Sequence, residues 1–294
     1  MAMNKNDPGN GFPARRRKAP FLLFAPLIAF TLLGIGSLHA ADKGETIRIG
    51  GTGSALGGMK EAARAFQGKH PEITFRFAPS LGSSGGIKAV LAGALDLALS
   101  ARPVSDDERK QGAMAVEYAR TPFIFVTSHK GKAWDLTLEQ LVSIYTGETR
   151  AWPDGVPLRL ILRPAGDVDT AYLKAMSPMM DKAVQAAQSR EGMVVAITDQ
   201  ETADTIGRIR GGFGALTLTQ LLAERRPLMP LRVNGTAPSL RALADGSYPY
   251  YKTFSMVTGP KTSREAQAFI KFINSPEGRS VLTKTGNLPV RGKE

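Results

Sequence analysis

The sequence predicts an α/β fold built mainly on parallel strands. Two observations carry that prediction. Short runs rich in apolar and β-branched residues alternate with segments whose apolar residues recur at helical spacing. Each early strand also runs into a loop that opens a helix, and no internal repeat or low-complexity linker interrupts the alternation.

In chain order, 46–50 reads as a short strand, and Leu56, Met59, Ala63 and Phe66 mark the helix after it. Residues 73–78 form a second strand, with Ile87, Val90, Leu91 and Ala94 on the next helix. A buried strand follows at 95–99, then a long apolar one at 118–127 around Phe123-Ile124-Phe125-Val126. Thr137 caps a helix over 137–145, and a strand at 158–162 leads into a single helix from about 167 to 188. Segments 193–197, 202–209 and 213–218 continue the alternation, and 254–257 is a late strand. Helices at 264–274 and 276–284 close the chain; Ser275 caps the last, Pro276 sits in its first turn and Gly286 stops it.

Composition removes several function classes. The chain has 294 residues, 43% of them hydrophobic, which suffices for a substantial core. It has no Cys, so disulfides, thiolate zinc sites, cysteine nucleophiles and iron–sulfur clusters are excluded. Of the three His, only His70 and His129 lie beyond residue 40, which excludes a histidine-rich metal site. No cofactor or metal is expected.

The N-terminus reads as an export signal. Arg15-Arg16-Arg17-Lys18 precedes an apolar run over 21–35, followed by Gly36-Ser37-Leu38-His39-Ala40-Ala41 and then Asp42, with Leu38 where a small residue is usual three positions before the cut. The run contains Pro26 and is shorter than the roughly 20 residues that span a bilayer. Cleavage after Ala40 is expected, releasing a soluble periplasmic chain with no stable membrane insertion. Removing 1–40 takes away five basic groups and one acid, leaving 38 − 5 = 33 bases against 26 − 1 = 25 acids, a net +8. The bases are scattered without aromatic interleaving, so a nucleic-acid surface is not indicated.

In open α/β sheets ligands sit beyond the carboxyl ends of the strands, where loops enter helix N-termini. Here the first strand is followed by Gly50-Gly51-Thr52-Gly53-Ser54-Ala55-Leu56-Gly57 and the second by Ser80-Leu81-Gly82-Ser83-Ser84-Gly85-Gly86. Both are Gly/Ser-rich helix starts, where free N–H groups and the helix dipole attract anions. The third strand is followed by Arg102 and the strand at 158–162 by Arg163, each suited to bidentate oxyanion contacts. Four such loops on one edge predict a binding cleft.

Catalytic motifs fare worse. Gly82-Ser83-Ser84-Gly85-Gly86 fits the G-x-S-x-G nucleophile elbow, but the one later histidine, His129, sits too early in the chain for that fold's triad base. Gly51-Thr52-Gly53 starts like a dinucleotide fingerprint, yet Leu56 takes the third glycine position.

The segments IGGTGSALG, PSLGSSGGIKAVLAGALDLALSARPVSDDE, LTLEQLVSIYTGETRAWPDGVPLRLILRPAGDVDT, GGFGALTLTQL, LRVNGTAPSLRALADGSYPYYKTF and FINSPEGRSVLTKTGNLPV resemble, in order, the phosphate-binding proteins of ABC importers. These belong to the wider group of periplasmic substrate-binding proteins. The resemblance implies the two-lobed type II fold of that group, with mainly parallel sheets, a hinge of two crossing segments and the ligand between the lobes. By this likeness one lobe comprises 41–121 and 252–294 and the other 122–251. It also implies a non-catalytic monomer that delivers its ligand to an ABC permease and ATPase.

The resemblance places ligand contacts at Ser54 and Ala55, at Ser83 with Ser84 beside it, and at Arg163. It also exposes departures. The family's aspartate, which accepts the proton of bound hydrogen phosphate, falls on Ala101, with Arg102 adjacent. Its Ser-Gly-Thr falls on Asp167-Val168-Asp169, leaving Thr170 as the nearest hydroxyl. A carboxylate about 4 Å from an anion at an effective dielectric near 20 costs about 4 kcal/mol, so Asp167 and Asp169 must turn away or be neutralised, by Arg163 or Arg102. One of the two acids is expected to cap the helix, and the other to face the cleft and meet a donor. The expected function is binding of phosphate or a related oxyanion. A receptor of the same fold, and a secreted hydrolase using Ser84, remain the alternatives.

Overall fold

The computed structural model describes residues 45–131 and 134–290. The expected export segment 1–40 and its cleavage point lie outside the described residues. No helix among the described residues is long and apolar enough to cross a membrane.

The first stretch runs β1 (Thr46–Gly51), α1 (Gly53–Gln67), β2 (Thr74–Ser80), α2 (Gly82–Leu91), β3 (Leu97–Ser100), α3 (Asp106–Lys110) and β4 (Met114–Thr127). Next come β5 (Asp135–Leu136), α4 (Leu138–Thr146), β6 (Arg159–Leu162), α5 (Val168–Ala175), α6 (Pro178–Ser189), β7 (Val194–Val195), α7 (Asp199–Arg208) and β8 (Gly212–Thr217). The remainder is α8 (Leu218–Ala223), β9 (Met229–Pro230), β10 (Arg232–Val233), α9 (Leu240–Ala244), β11 (Tyr251–Thr258), α10 (Arg264–Asn274), α11 (Pro276–Lys284) and β12 (Leu288–Pro289).

The main sheet has the order β2-β1-β3-β11-β4-β8-β6-β7. Its two ends are parallel: β1 pairs with β2 and β3, and β6 with β7 and β8. The middle is antiparallel, because β11 lies between β3 and β4 and β4 runs against β8. The 14-residue strand β4 joins the two ends by changing partner midway. Its residues up to Pro122 face β11, and Phe123 to Thr127 face β8. Pro122, which has no N–H to donate, sits where the first ladder ends.

Both faces of the sheet are covered, which explains why the strands read as apolar runs rather than alternating ones. Phe123 and Phe125 enter a core with Leu141, Tyr145 and Phe213, whereas Ile124 and Val126 enter another with Ile206 and Leu221. At the other end Leu97 and Leu99 pack with Ile47, Ile49 and Phe66, and Ala98 with Ile87 and Val90. Gly51 holds φ at +122°, and a β-carbon there would lie 2.1 Å from the Leu99 carbonyl oxygen. Gly86 seats α2 against that point, since its own β-carbon would come within 2.6 Å of Gly51 Cα.

One expected helix is two. The segment 167–188 breaks after Ala175 and restarts at Pro178, with the Ser177 hydroxyl accepting from Met180 N at 3.1 Å. Proline cannot donate to the preceding turn and disfavours helical backbone in the residue before it, so it begins α6 instead of continuing α5.

Candidate functional site

Helix N-termini single out the two Gly/Ser loops. Of the described helices, only α1 and α2 lack a side-chain cap; each of the others has a Ser, Thr or Asp hydrogen-bonded to its first turn. First-turn N–H groups without such a partner are what an anion uses. Thr52 and Ser54 at the start of α1 share a hydroxyl–hydroxyl hydrogen bond of 2.9 Å, and Ala55 is buried beside them. In α2, the Ser83 hydroxyl accepts from Ala101 N at 2.9 Å, and no described acceptor takes its own proton.

Arg163 ends β6, only 7% exposed. Its Nε and Nη2 donate to Asp167 Oδ1 at 3.3 Å and Oδ2 at 2.7 Å, and its Nη1 donates to the Ala196 carbonyl at 3.2 Å. Asp199 Oδ2 lies 3.9 Å from Arg163 Nη2. Asp199 also abuts the start of α1, for a β-carbon on Gly53 would meet Asp199 Oδ2 at 2.7 Å. Gln200 Nε2 donates to the Gly53 carbonyl at 3.0 Å and to Glu224 Oε1 at 2.7 Å. Thr217 Oγ1 donates to the Ser54 carbonyl at 3.3 Å. So the guanidinium after β6 and the uncapped start of α1 converge on one place, with Asp199 between them.

Asp167 is the cap of α5, accepting from Asp169 N at 2.8 Å while it holds Arg163. The second acid does not face a cleft. Asp169 is buried and ion-paired with Lys252 from β11, which is itself fully buried. Thr170 gives its proton to the Pro164 carbonyl at 2.9 Å and is used up in the loop. Lys252, Asp199 and Gln200 were not singled out by the sequence reading. A lone lysine within the apolar run YYKTFSMV was the one visible signal.

Arg102 and Ser84 pair with each other and with α3 rather than with this cluster. Arg102 forks onto Glu108 through Nη1 at 2.9 Å and Nη2 at 2.6 Å, and its Nε donates to Ser84 Oγ at 3.0 Å. The guanidinium hydrogen bonds hold the Glu108 carboxyl down to about 2. Arg102, one of the two arginines suited to an oxyanion, is thus already occupied by Glu108 and Ser84. Arg102→Ala should leave oxyanion affinity within about threefold by calorimetry, a charge held this way being screened and satisfied locally. Ser84 has a guanidinium, not a base, as its neighbour. His129 is buried instead, stacked on Trp152 at a centroid distance of 5.3 Å, with Asp154 Oδ2 at 2.9 Å from its Nε2.

Burial pushes the Asp169 carboxyl up to about 6, against the pull of Lys252 and with a further push from Asp199 and Asp167. A raised carboxyl binds a proton in the folded chain at a pH where the unfolded chain, near 3.8, has lost it. Asp169 therefore contributes stability that is lost as pH rises from about 4 through 6. Urea unfolding across that window should show this slope in the wild type and not in Asp169→Asn.

Residues 37–277 match the family model described as the PBP superfamily domain. The chain belongs to that superfamily. Its two-lobed α/β architecture is that of superfamily members of known structure. A Clostridium perfringens protein described as a phosphate ABC transporter substrate-binding protein, solved with bound phosphate, superposes with a TM-score of 0.70. The match is 21% identical and covers 84% of this chain and all of that one. An ABC-type phosphate transport receptor from Vibrio cholerae gives a TM-score of 0.57 at 17% identity, covering 82% and 99%. In sequence, the phosphate-binding protein PstS of Borreliella burgdorferi is 26% identical over 224 residues, 71% of this chain and 78% of its own. These relatives are described as binding and transport proteins, not as enzymes.

Proposed function

We propose that this chain is the exported, periplasmic solute-binding component of an ABC importer, and that it holds phosphate or a related small oxyanion. The observation that carries the reading is the pair of uncapped N-termini of α1 and α2, found on the two loops where the sequence concentrates Gly and Ser. Arg163, converging on the start of α1 through Asp199, supplies the charge. The relatives named as phosphate-binding proteins support the ligand class.

Ser54, Ala55 and Ser83 contribute N–H and hydroxyl donors, Arg163 the guanidinium, and the start of α5 at Asp167 to Thr170 lies opposite. The lobes comprise 41–121 with 252–294, and 122–251. β4 and β11 are the two segments that cross between them, and closure about this pair brings the donors together. The chain works as a monomer and hands its ligand to a permease with its ATPase.

Calorimetry on the chain from residue 41 onward, freed of copurified ligand by unfolding and refolding, tests the reading. Heat is expected with phosphate, and smaller or no heat with sulfate and molybdate. Silence with every oxyanion would remove it.

A further inference from the structure

We propose that this chain carries its own competitors for the oxyanion. The Asp167 and Asp199 carboxylates sit on the two anion-attracting groups of the cleft, so an oxyanion binds by exchanging with them. This rests on the oxyanion reading above and adds what sets its affinity.

Asp167 meets Arg163 fork to fork, through Nε at 3.3 Å and Nη2 at 2.7 Å, the arrangement by which a guanidinium takes a phosphate. Asp199 is the less expected of the two. It is 5% exposed, yet among the described residues none donates a hydrogen bond to its carboxylate. Its favourable neighbours are Arg163 Nη2 at 3.9 Å and the first turn of its own helix α7, and it abuts Gly53 at the start of α1. A buried carboxylate beside a guanidinium and against an uncapped helix start occupies the place an incoming anion would need.

The local charge agrees. Asp167, Asp169 and Asp199 stand against Arg163 and Lys252, so the cluster carries one excess negative charge before any ligand arrives. Two like charges about 4 Å apart at an effective dielectric near 20 alter affinity by about three orders of magnitude. The exchange is therefore large enough to dominate the affinity. Asp167 and Asp199 act as specificity-determining residues, disfavouring any anion that cannot displace a carboxylate from both partners.

Two substitutions separate charge from scaffold. Asp167→Ser keeps an oxygen at the N-cap of α5, where Ser serves as well as Asp. Asp199→Asn keeps the shape and removes the charge. Circular dichroism verifies that each folds, and calorimetry with inorganic phosphate and with sulfate reads the affinity. Each variant is expected to bind phosphate at least about tenfold tighter than the wild type, and the double variant tighter again. Wild-type binding that Arg163→Ala abolishes, together with unchanged or weaker binding in both variants, would overturn the inference and leave the oxyanion reading standing. No heat from wild type or any variant, with either anion, would instead sink the oxyanion reading and this inference with it.

Discussion

Arg163→Ala is expected to abolish oxyanion binding, weakening phosphate by about a thousandfold or more. Among the described candidate residues Arg163 is the one cation left for a ligand, because Lys252 is fully buried in its pair with Asp169 and Arg102 is held by Glu108. Without Arg163, three carboxylates face a single ammonium, and every incoming anion meets unbalanced negative charge. Arg163→Lys should recover only part of the affinity, since a lysine cannot fork onto two oxygens. The alanine variant is also expected to be less stable by about 3 kcal/mol, because Asp167 and Asp199 lose their counter-charge in a buried setting. Calorimetry and thermal melts report the two effects separately. Full-strength phosphate binding by Arg163→Ala would place the ligand elsewhere.

Lys252→Met is expected to cost about 3–5 kcal/mol of stability, the usual penalty for removing one partner of a buried ion pair. Lys252 lies on β11 opposite Thr121 of β4, within the antiparallel pair that joins the two ends of the sheet. Its ammonium pairs with Asp169 from α5 and lies 5.2 Å from the Phe123 ring centre and 5.9 Å from that of Tyr172. For a chain of this size such a loss lowers the melting temperature by about 10 °C. Two controls give the result its meaning. Lys252→Met combined with Asp169→Leu should recover much of the loss, because a matched apolar pair removes both charges together. The single variant should also gain stability when the pH is lowered from 7 to 5, as the stranded Asp169 takes up a proton. An unchanged melting temperature in the single variant would mean that the pair contributes nothing.

Local chemistry carried much of the architecture. The continuous run Phe123 to Val126 announced a fully buried strand, and all four residues are at most 1% exposed. The helices at 264–274 and 276–284, with Ser275 capping and Pro276 in the first turn, are observed within the expected bounds. These features depend on near neighbours: side-chain period, capping hydroxyls and proline's missing donor. Where local expectation and structure differ, a second local signal competes. Pro178 after Ser177 was sufficient to divide 167–188 into two helices. Ser105 with Glu108 was sufficient for the capping box of α3. β4 begins at Met114 rather than 118; its first three residues are apolar but exposed, and Glu117 separates them from the buried stretch that starts at Tyr118.

The candidate site divides along the same line. Asp167 as a helix cap, the two Gly/Ser loops as helix starts and Arg163 at a strand end were all legible from adjacent residues. The partner of each charge was not. That Arg102 turns to Glu108 while Arg163 turns to Asp167 and Asp199, and that Asp169 is met by a lysine 83 positions along the chain, depend on strand order and helix placement. Sequence alone determined which groups attract an anion, since N–H groups, hydroxyls and guanidinium are properties of the residues themselves. Only the tertiary structure decided which of them are already matched by the chain's own carboxylates, because charge pairing is settled by distance and burial, and both arise from long-range packing.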